Sequence, residues 1–142
     1  MARHVVELKP RWADMDAYGH VNNVTWLEYL QEARVDMFFT HAPQRGTDKL
    51  AEGVVVARAE IDYKLPLVFR PEPVRIEMWV SRVGAAAFTV EYEVLDLHEG
   101  GGRTVYARAA TVLVPVTLGD GRPRRMTPQE REVLAALGDG TP

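Results

Sequence analysis

The longest helical pattern in the chain covers about residues 23–40. This segment has no glycine or proline and is rich in residues that favour helices. Asn22 or Asn23 stands at its start, where a short polar side chain can cap the first backbone amides. Most other positions are apolar or aromatic, and one polar stripe runs along the segment: Thr25, Glu28, Glu32 and Asp36. A stripe this narrow predicts a helix embedded in its domain.

After residue 53 the apolar positions alternate with polar ones, which is typical of β-strands. A short run at 4–12 precedes the helix, and four longer runs follow it: 54–69, 74–83, 86–97 and 103–117. The turns between the four longer runs contain glycine or proline, as hairpins require. Because proline has no amide to donate, Pro66 predicts a bulge or an edge. Four alternate side chains are predicted to face the core: Phe88, Val90, Tyr92 and Val94.

The C-terminal region predicts a second, shorter helix that ends at Gly138. Thr127 and Glu130 have the spacing of a capping box at its start. Residues 41–52 predict a loop or frayed turn. The order of elements predicts an α+β fold, with a curved five-stranded antiparallel sheet wrapped around one long helix. We expect a single domain over residues 1–142.

The composition narrows the function classes. The net charge of −3 argues against nucleic acid as the main partner. The chain has no cysteine, which excludes disulfides and thiolate chemistry and fits a reducing compartment. No apolar run has membrane-spanning length, so we expect no membrane partner and a cytoplasmic protein. The four histidines lack ligand spacing, which predicts no metal site: His4, His20, His41 and His98.

One segment carries most of the functional signal. It reads DMDAYGHVNNV from Asp14 to Val24 and continues as WLEY from Trp26. It resembles the signature of the 4-hydroxybenzoyl-CoA thioesterase-like branch of the hot-dog superfamily. The HVNNV half, with Glu32 downstream, also resembles acyl-ACP thioesterases. Those enzymes have an asparagine where this chain has Tyr18, which favours CoA esters over acyl-carrier-protein esters.

The resemblance implies thioester hydrolysis, which needs an activated nucleophile and donors for an oxyanion. Asp16 is the candidate for the first role, either as a base that takes a proton from water or as the nucleophile itself. The helix N-terminus supplies amides and a favourable dipole for the second role, and the resemblance points to the backbone N–H of Asn23. His20 either assists the reaction or is an ordinary loop histidine, whereas Glu32, on the polar stripe, is more simply explained as structural.

The substrate and assembly follow from the same resemblance. Arginines in or beside predicted turns are usually solvated, but some are candidates for the phosphates of CoA: Arg82, Arg124 and Arg125. We expect no cofactor beyond the CoA of the substrate. The resemblance implies a homodimer, paired again into a homotetramer, with active sites shared between protomers. The alternatives are a non-catalytic acyl-CoA-binding domain and an acyl-ACP thioesterase; the site layout of hot-dog hydratases does not match.

Overall fold

The computed structural model describes residues 3–44, 46 and 49–138. Its sheet has the strand order β1-β3-β4-β5-β2, and every neighbouring pair is antiparallel. The register shifts within the β2–β5, β3–β4 and β4–β5 pairs, and such bulges bend the strands and increase their twist. The five strands are β1 His4–Leu8, β2 Val54–Tyr63, β3 Val74–Val83, β4 Phe88–Leu97 and β5 Arg103–Pro115.

The long helix α1 runs from Asn23 to Val35 and packs against the inner face of this sheet. It continues as a π-helical segment, Asp36–His41, and as a single turn, α2, Ala42–Gln44. Its buried side chains are Trp26, Tyr29, Leu30 and Ala33. The predicted hot-dog arrangement, a curved antiparallel sheet around one helix, is therefore confirmed.

Alternate residues of the central strands complete the core. The four side chains predicted to face inward on β4 are all buried, and Val74, Ile76 and Met78 of β3 lie beside them. Tyr92 brings a hydroxyl group into this layer of the core. Its hydroxyl lies 2.6 Å from Thr111 Oγ1 and accepts a bond from Arg34 Nη1 at 3.3 Å, so burial leaves it with partners.

Several predicted boundaries were wrong. The first strand ends at Leu8, because Pro10 and the 3₁₀ turn Trp12–Asp14 redirect the chain. The second run ends at Tyr63, so Pro66 lies in a loop and marks neither a bulge nor an edge. The predicted loop 41–52 contains two helical turns: α2 lies before the undescribed residues, and α3 (Lys49–Glu52) lies after them.

One face of α1 is less buried than its sequence predicts. Val24, Leu27 and Val35 are exposed, at 60%, 44% and 44% of their surface. These residues lie beside the polar stripe, at helical spacing. The helix is thus embedded on its sheet side only, and an apolar strip faces away from the chain's own core.

The C-terminal helix α4, Pro128–Ala136, begins at the predicted capping box: Thr127 accepts from the Glu130 amide, and Glu130 accepts from the Thr127 amide. Beyond it, the Leu137 carbonyl accepts from the Val80 amide at 2.6 Å, which fixes the C-terminal segment to β3. Within the described residues, no helix has the length and apolar character needed to span a membrane.

Candidate active site

The loop between the 3₁₀ turn and α1 folds back on itself. The Asp16 amide donates to the His20 carbonyl at 3.0 Å, and the Gly19 amide donates to the Asp16 carbonyl at 3.0 Å. Gly19 has a φ of 81°, a left-handed conformation that glycine adopts without steric cost. Met15 and Val21 close the loop through an antiparallel bridge. The turn therefore returns the chain to Asp16 just before the helix begins.

The Asp16 carboxylate is held by two donors. Its Oδ1 accepts from the Tyr18 amide at 2.9 Å, and its Oδ2 accepts from Asn22 Nδ2 at 3.2 Å. The side chain is half-buried, and none of its bonds comes from a charged group. An oriented carboxylate with spare lone pairs can accept a proton from water or act as a nucleophile.

Asn22 is the N-cap of α1. Its Oδ1 accepts from the Val24 amide at 2.9 Å, while Asn23 is the first helical residue. The Asn23 amide points out of the helix start and has no acceptor within the helix. Tyr63, at the end of β2, donates from its hydroxyl to the Asn23 carbonyl at 2.9 Å. The edge strand is thus bonded directly to the helix end that the sequence predicts as the oxyanion site.

Asp14, two residues before Asp16, has a different environment. It is buried, and it accepts from the Arg11 amide, the Arg11 guanidinium and, at 2.7 Å, the Tyr29 hydroxyl. Burial alone would raise the pKa of Asp14, but the hydrogen bonds from Arg11 and Tyr29 more than offset this and lower the pKa. Asp14 is therefore a structural carboxylate that holds the turn before Asp16 against α1.

A cavity of about 270 Å³ lies beside the start of α1. His20 and Asn23 both line it, together with Trp26, Tyr63 and Lys64. Asp16 is not among the lining residues. It is connected to this corner through Asn22, the residue that precedes Asn23. The structure therefore brings the three predicted catalytic residues to one helix end, with two of them on a common cavity.

The sequence profile of the Thioesterase-like superfamily matches residues 10–137. The chain belongs to this superfamily. The family supports thioester hydrolysis as the general activity, and the resemblance drawn from the DMDAYGHVNNV segment is confirmed.

Individual relatives agree with this membership. YsmA, an uncharacterised protein of Bacillus subtilis (strain 168), is 32% identical over 124 residues, which are 87% of this chain and 80% of YsmA. The PA5185 protein of Pseudomonas aeruginosa strain PAO1 has 29% identity and a TM-score of 0.78, over 98% of this chain and 94% of its own. A thioesterase of Thermus thermophilus, whose crystal structure contains coenzyme A and Zn, has 31% identity and a TM-score of 0.74, over 97% of this chain and 95% of its own.

In this superfamily member the predicted CoA-binding arginines lie away from the α1 end. Arg124 and Arg125 line a separate cavity of about 430 Å³, together with Glu52 and residues 116–119. The Arg124 guanidinium binds both carboxylate oxygens of the fully buried Glu130, at 2.7 and 2.8 Å. Arg124 thus has a structural partner, whereas Arg125 is exposed, and Arg82 is exposed beside the β3 bulge.

Two other features bear on the site. Glu32 is exposed and lines a third cavity, of about 320 Å³, with Asp14 and Tyr29; the cavity that contains His20 and Asn23 does not include it. Within the part of the chain that the structure describes, no cluster of three or more histidine and carboxylate side chains could hold a metal ion. The sequence analysis missed Tyr63 and Lys64, because nothing in the spacing of β2 indicates that its end meets a helix 40 residues away.

Proposed function

We propose that this protein hydrolyses acyl-CoA thioesters to a free acid and CoA. The observation that carries the proposal is the coupling of the Asp16 carboxylate to the capped end of α1, where Asn23, the first helical residue, lines a cavity. A carboxylate and a backbone amide at one helix end supply the two groups that acyl transfer needs. The CoA-bound thioesterase of Thermus thermophilus supports CoA as the carrier.

Two routes give the same products. In the first, Asp16 takes a proton from a water molecule while the oxygen of that water attacks the thioester carbon. The carbon–sulfur bond then breaks, and the CoA thiolate takes up the proton from Asp16. In the second, the Asp16 carboxylate attacks the carbon and expels CoA, and water cleaves the resulting anhydride. In both routes the Asn23 amide stabilises the oxyanion. His20, on the same cavity, assists by orienting the carbonyl or relaying a proton.

The rest of the proposal concerns CoA and assembly. Arg82, Arg124 and Arg125 are proposed to contact the CoA phosphates, with the exposed Arg82 and Arg125 better placed than Arg124, which already binds Glu130. No cofactor is needed beyond the CoA of the substrate. We propose a cytoplasmic homodimer or homotetramer in which a second chain completes the cavity beside α1.

The direct test is thiol release from a panel of short, long and aromatic acyl-CoAs. The Asp16→Asn variant keeps the size of the side chain and one of its two hydrogen bonds but loses the charge, so its kcat should fall by about a hundredfold or more while the thermal melt stays close to wild type. A folded Asp16→Asn protein with near-wild-type kcat would refute this mechanism. Binding of acyl-CoA without turnover by the wild type would favour the non-catalytic alternative, and turnover of acyl-ACP alone would favour the carrier-protein alternative.

A further inference from the structure

We infer that Asn22 is a positioning residue that fixes the Asp16 carboxylate relative to the oxyanion amides. The inference rests on the proposed function and adds to it one side chain that acts through another. Asn22 touches neither the reacting atoms nor, by its side chain, the cavity beside α1. Its role follows from what the two ends of its amide group contact.

Both ends of this amide are used. Oδ1 accepts from the Val24 amide at 2.9 Å, and Nδ2 donates to Asp16 Oδ2 at 3.2 Å. The opposite orientation would place Nδ2 against a donor and Oδ1 against a carboxylate, so these contacts determine which way the amide points. One rigid planar group therefore sets the distance between the carboxylate and the first amides of the helix.

The backbone of Asn22 is fixed as well. Its amide donates to the Asp14 carbonyl at 3.0 Å, and its carbonyl accepts from the Trp26 amide at 3.2 Å. The first bond ties Asn22 to the segment that carries Asp16, and the second ties it to the first turn of α1. Because both backbone groups of Asn22 are bonded, its side-chain amide is held in a fixed position relative to Asp16 and α1.

The choice of residue at this position is informative. Asparagine, aspartate, serine and threonine all cap helices well, and each can accept from the N2 or N3 amide. Serine and threonine have a single oxygen for both roles and aspartate has no donor, so of these four asparagine alone carries a donor atom separate from its capping acceptor. A cap needs only the acceptor, so the donor is the feature that capping does not explain.

Substitutions at Asn22 separate the two roles. Asn22→Ser keeps a capping acceptor but replaces Nδ2 with a hydroxyl one bond closer to the backbone, which withdraws the donor from Asp16. Asn22→Asp keeps the cap and replaces the donor by a second carboxylate at about 3 Å from the first. Two carboxylates at so short a distance hold a shared proton more tightly than a single carboxylate holds its own. The matched control is Thr25→Asp, which adds a negative charge to the same helical turn at a residue with no bond to Asp16.

The surrounding charges make the pH profile interpretable. Asp14, Tyr18 and His20 are the other ionisable side chains between Asp14 and Asn22, and Lys64 lies on the cavity with His20. Asp14 is already engaged by Arg11 and Tyr29. All of these groups are unchanged in the three variants, so a shift seen in Asn22→Asp alone originates at residue 22.

The experiment is steady-state hydrolysis of a good acyl-CoA substrate between about pH 4 and 9, with thermal melts for each variant. Asn22→Ser should lose about tenfold in kcat with little change in KM or melting temperature, because a hydrogen bond to a charged group is lost while the cap remains. Asn22→Asp should move the acid limb of the kcat/KM profile to higher pH by about one unit or more. Thr25→Asp should leave that limb in place.

The outcomes distinguish this inference from the proposed function. If the wild type is active and Asp16→Asn is inactive, but Asn22→Ser and Asn22→Asp match the wild type in kcat and pH profile, the inference is wrong and the proposed function stands. An equal shift of the acid limb in Thr25→Asp would also overturn it. A folded wild type that releases no thiol from any acyl-CoA overturns both.

Discussion

Asp14 and Asp16 are only two residues apart, but their carboxylates lie in different environments. Asp14 is buried and receives bonds from a guanidinium, a phenol and an amide, while Asp16 is half-buried and receives one backbone and one side-chain amide bond. The first arrangement uses the carboxylate's acceptor capacity to hold the loop against α1. The second orients a carboxylate and leaves capacity for a reaction. The same side chain thus serves structure at one position and is available for chemistry at the other.

At the residue scale we predict that Asp14→Asn destabilises the fold. The amide leaves either the Arg11 or the Tyr29 contact with a donor facing a donor, which should cost about 1–3 kcal/mol. Because the pKa of Asp14 is lowered in the folded state, its contribution is present above the unfolded-state pKa and is lost as the pH falls. Thermal melts should therefore show a deficit for Asp14→Asn at neutral pH that shrinks on acidification. Equal melting temperatures of Asp14→Asn and Asp16→Asn at neutral pH would contradict this.

The sequence predicted part of this site, namely the helix start and the position of Asp16 just before it. These are local features, set by residues within about ten positions of one another. The donor role of Asn22 was missed because a capping preference does not specify what the other end of the amide contacts. The Tyr63 contact was missed because it depends on where a distant strand ends.

At the scale of elements, the outer face of the sheet carries a charge cluster that the alternating pattern did not predict. Glu77 on β3 and Glu93 on β4 lie opposite each other and are buried, although this face looks away from the core. Arg3 bonds both carboxylates and lies 3.8 Å from the Trp79 ring centre. Among the described residues, four arginines bond the two glutamates: Arg3, Arg75, Arg103 and Arg108. The cluster links β3, β4 and β5 across the sheet, and Arg3 attaches to it the residue just before β1.

This cluster makes stability depend on acid pH. Burial alone would raise the pKa of Glu77, but bonds from Arg103, Arg75 and Arg3 lower it from 4.5 to about 2. Its contribution is therefore full above about pH 4.5 and is lost as the pH falls towards 2. Glu77→Gln should lower the melting temperature at neutral pH, by the equivalent of about 1–3 kcal/mol. The difference from wild type should narrow across that acid window, because a protonated glutamate resembles glutamine.

Glu60→Gln is the matched control for this measurement. Glu60 lies on the edge strand β2 and pairs with Arg58 at 2.8 Å, but both side chains are more than half exposed, so the pair should contribute little. A Glu77→Gln protein whose melting curve follows wild type at every pH, as Glu60→Gln should, would show that the cluster does not stabilise the sheet.

Element identities were easier to predict than their ends. All five strands and both main helices follow from period and capping, since those signals are repeated along each segment. The end of β2 depends on β5, its only partner in the described sheet, which pairs with it as far as Tyr63. The switch of α1 to π-helical geometry at Asp36 has no counterpart in the polar stripe, which continues in register up to that residue.

At the scale of the whole molecule, one edge of the sheet lies beside the exposed apolar strip of α1. Strand β2 is an edge of the sheet, and most of its residues are exposed, including Val55 and Val56 at 48% and 46%. Near its end, Tyr63 is 51% exposed and bonds the start of α1, whose outer strip of Val24, Leu27 and Val35 is also exposed. An apolar edge strand with unsatisfied backbone groups is a liability in a monomer. The same surface borders the cavity beside α1, so its partner would also bear on the site.

We therefore predict that the protein is a homodimer, or a tetramer of such dimers, in which β2 pairs with β2 of a second chain. Val56→Lys places a charge on this edge, where the single chain leaves the residue half exposed, so the fold should survive while pairing weakens. Val5→Lys is the control, because Val5 is 39% exposed on β1, the opposite edge of the same sheet. Light scattering at micromolar concentration should give a dimer or tetramer for the wild type and for Val5→Lys, and a smaller species for Val56→Lys.

If the cavity beside α1 needs the second chain, thiol release by Val56→Lys should fall as the protein dissociates and recover at high protein concentration. A monomeric wild type with full activity would contradict both the pairing and the shared site.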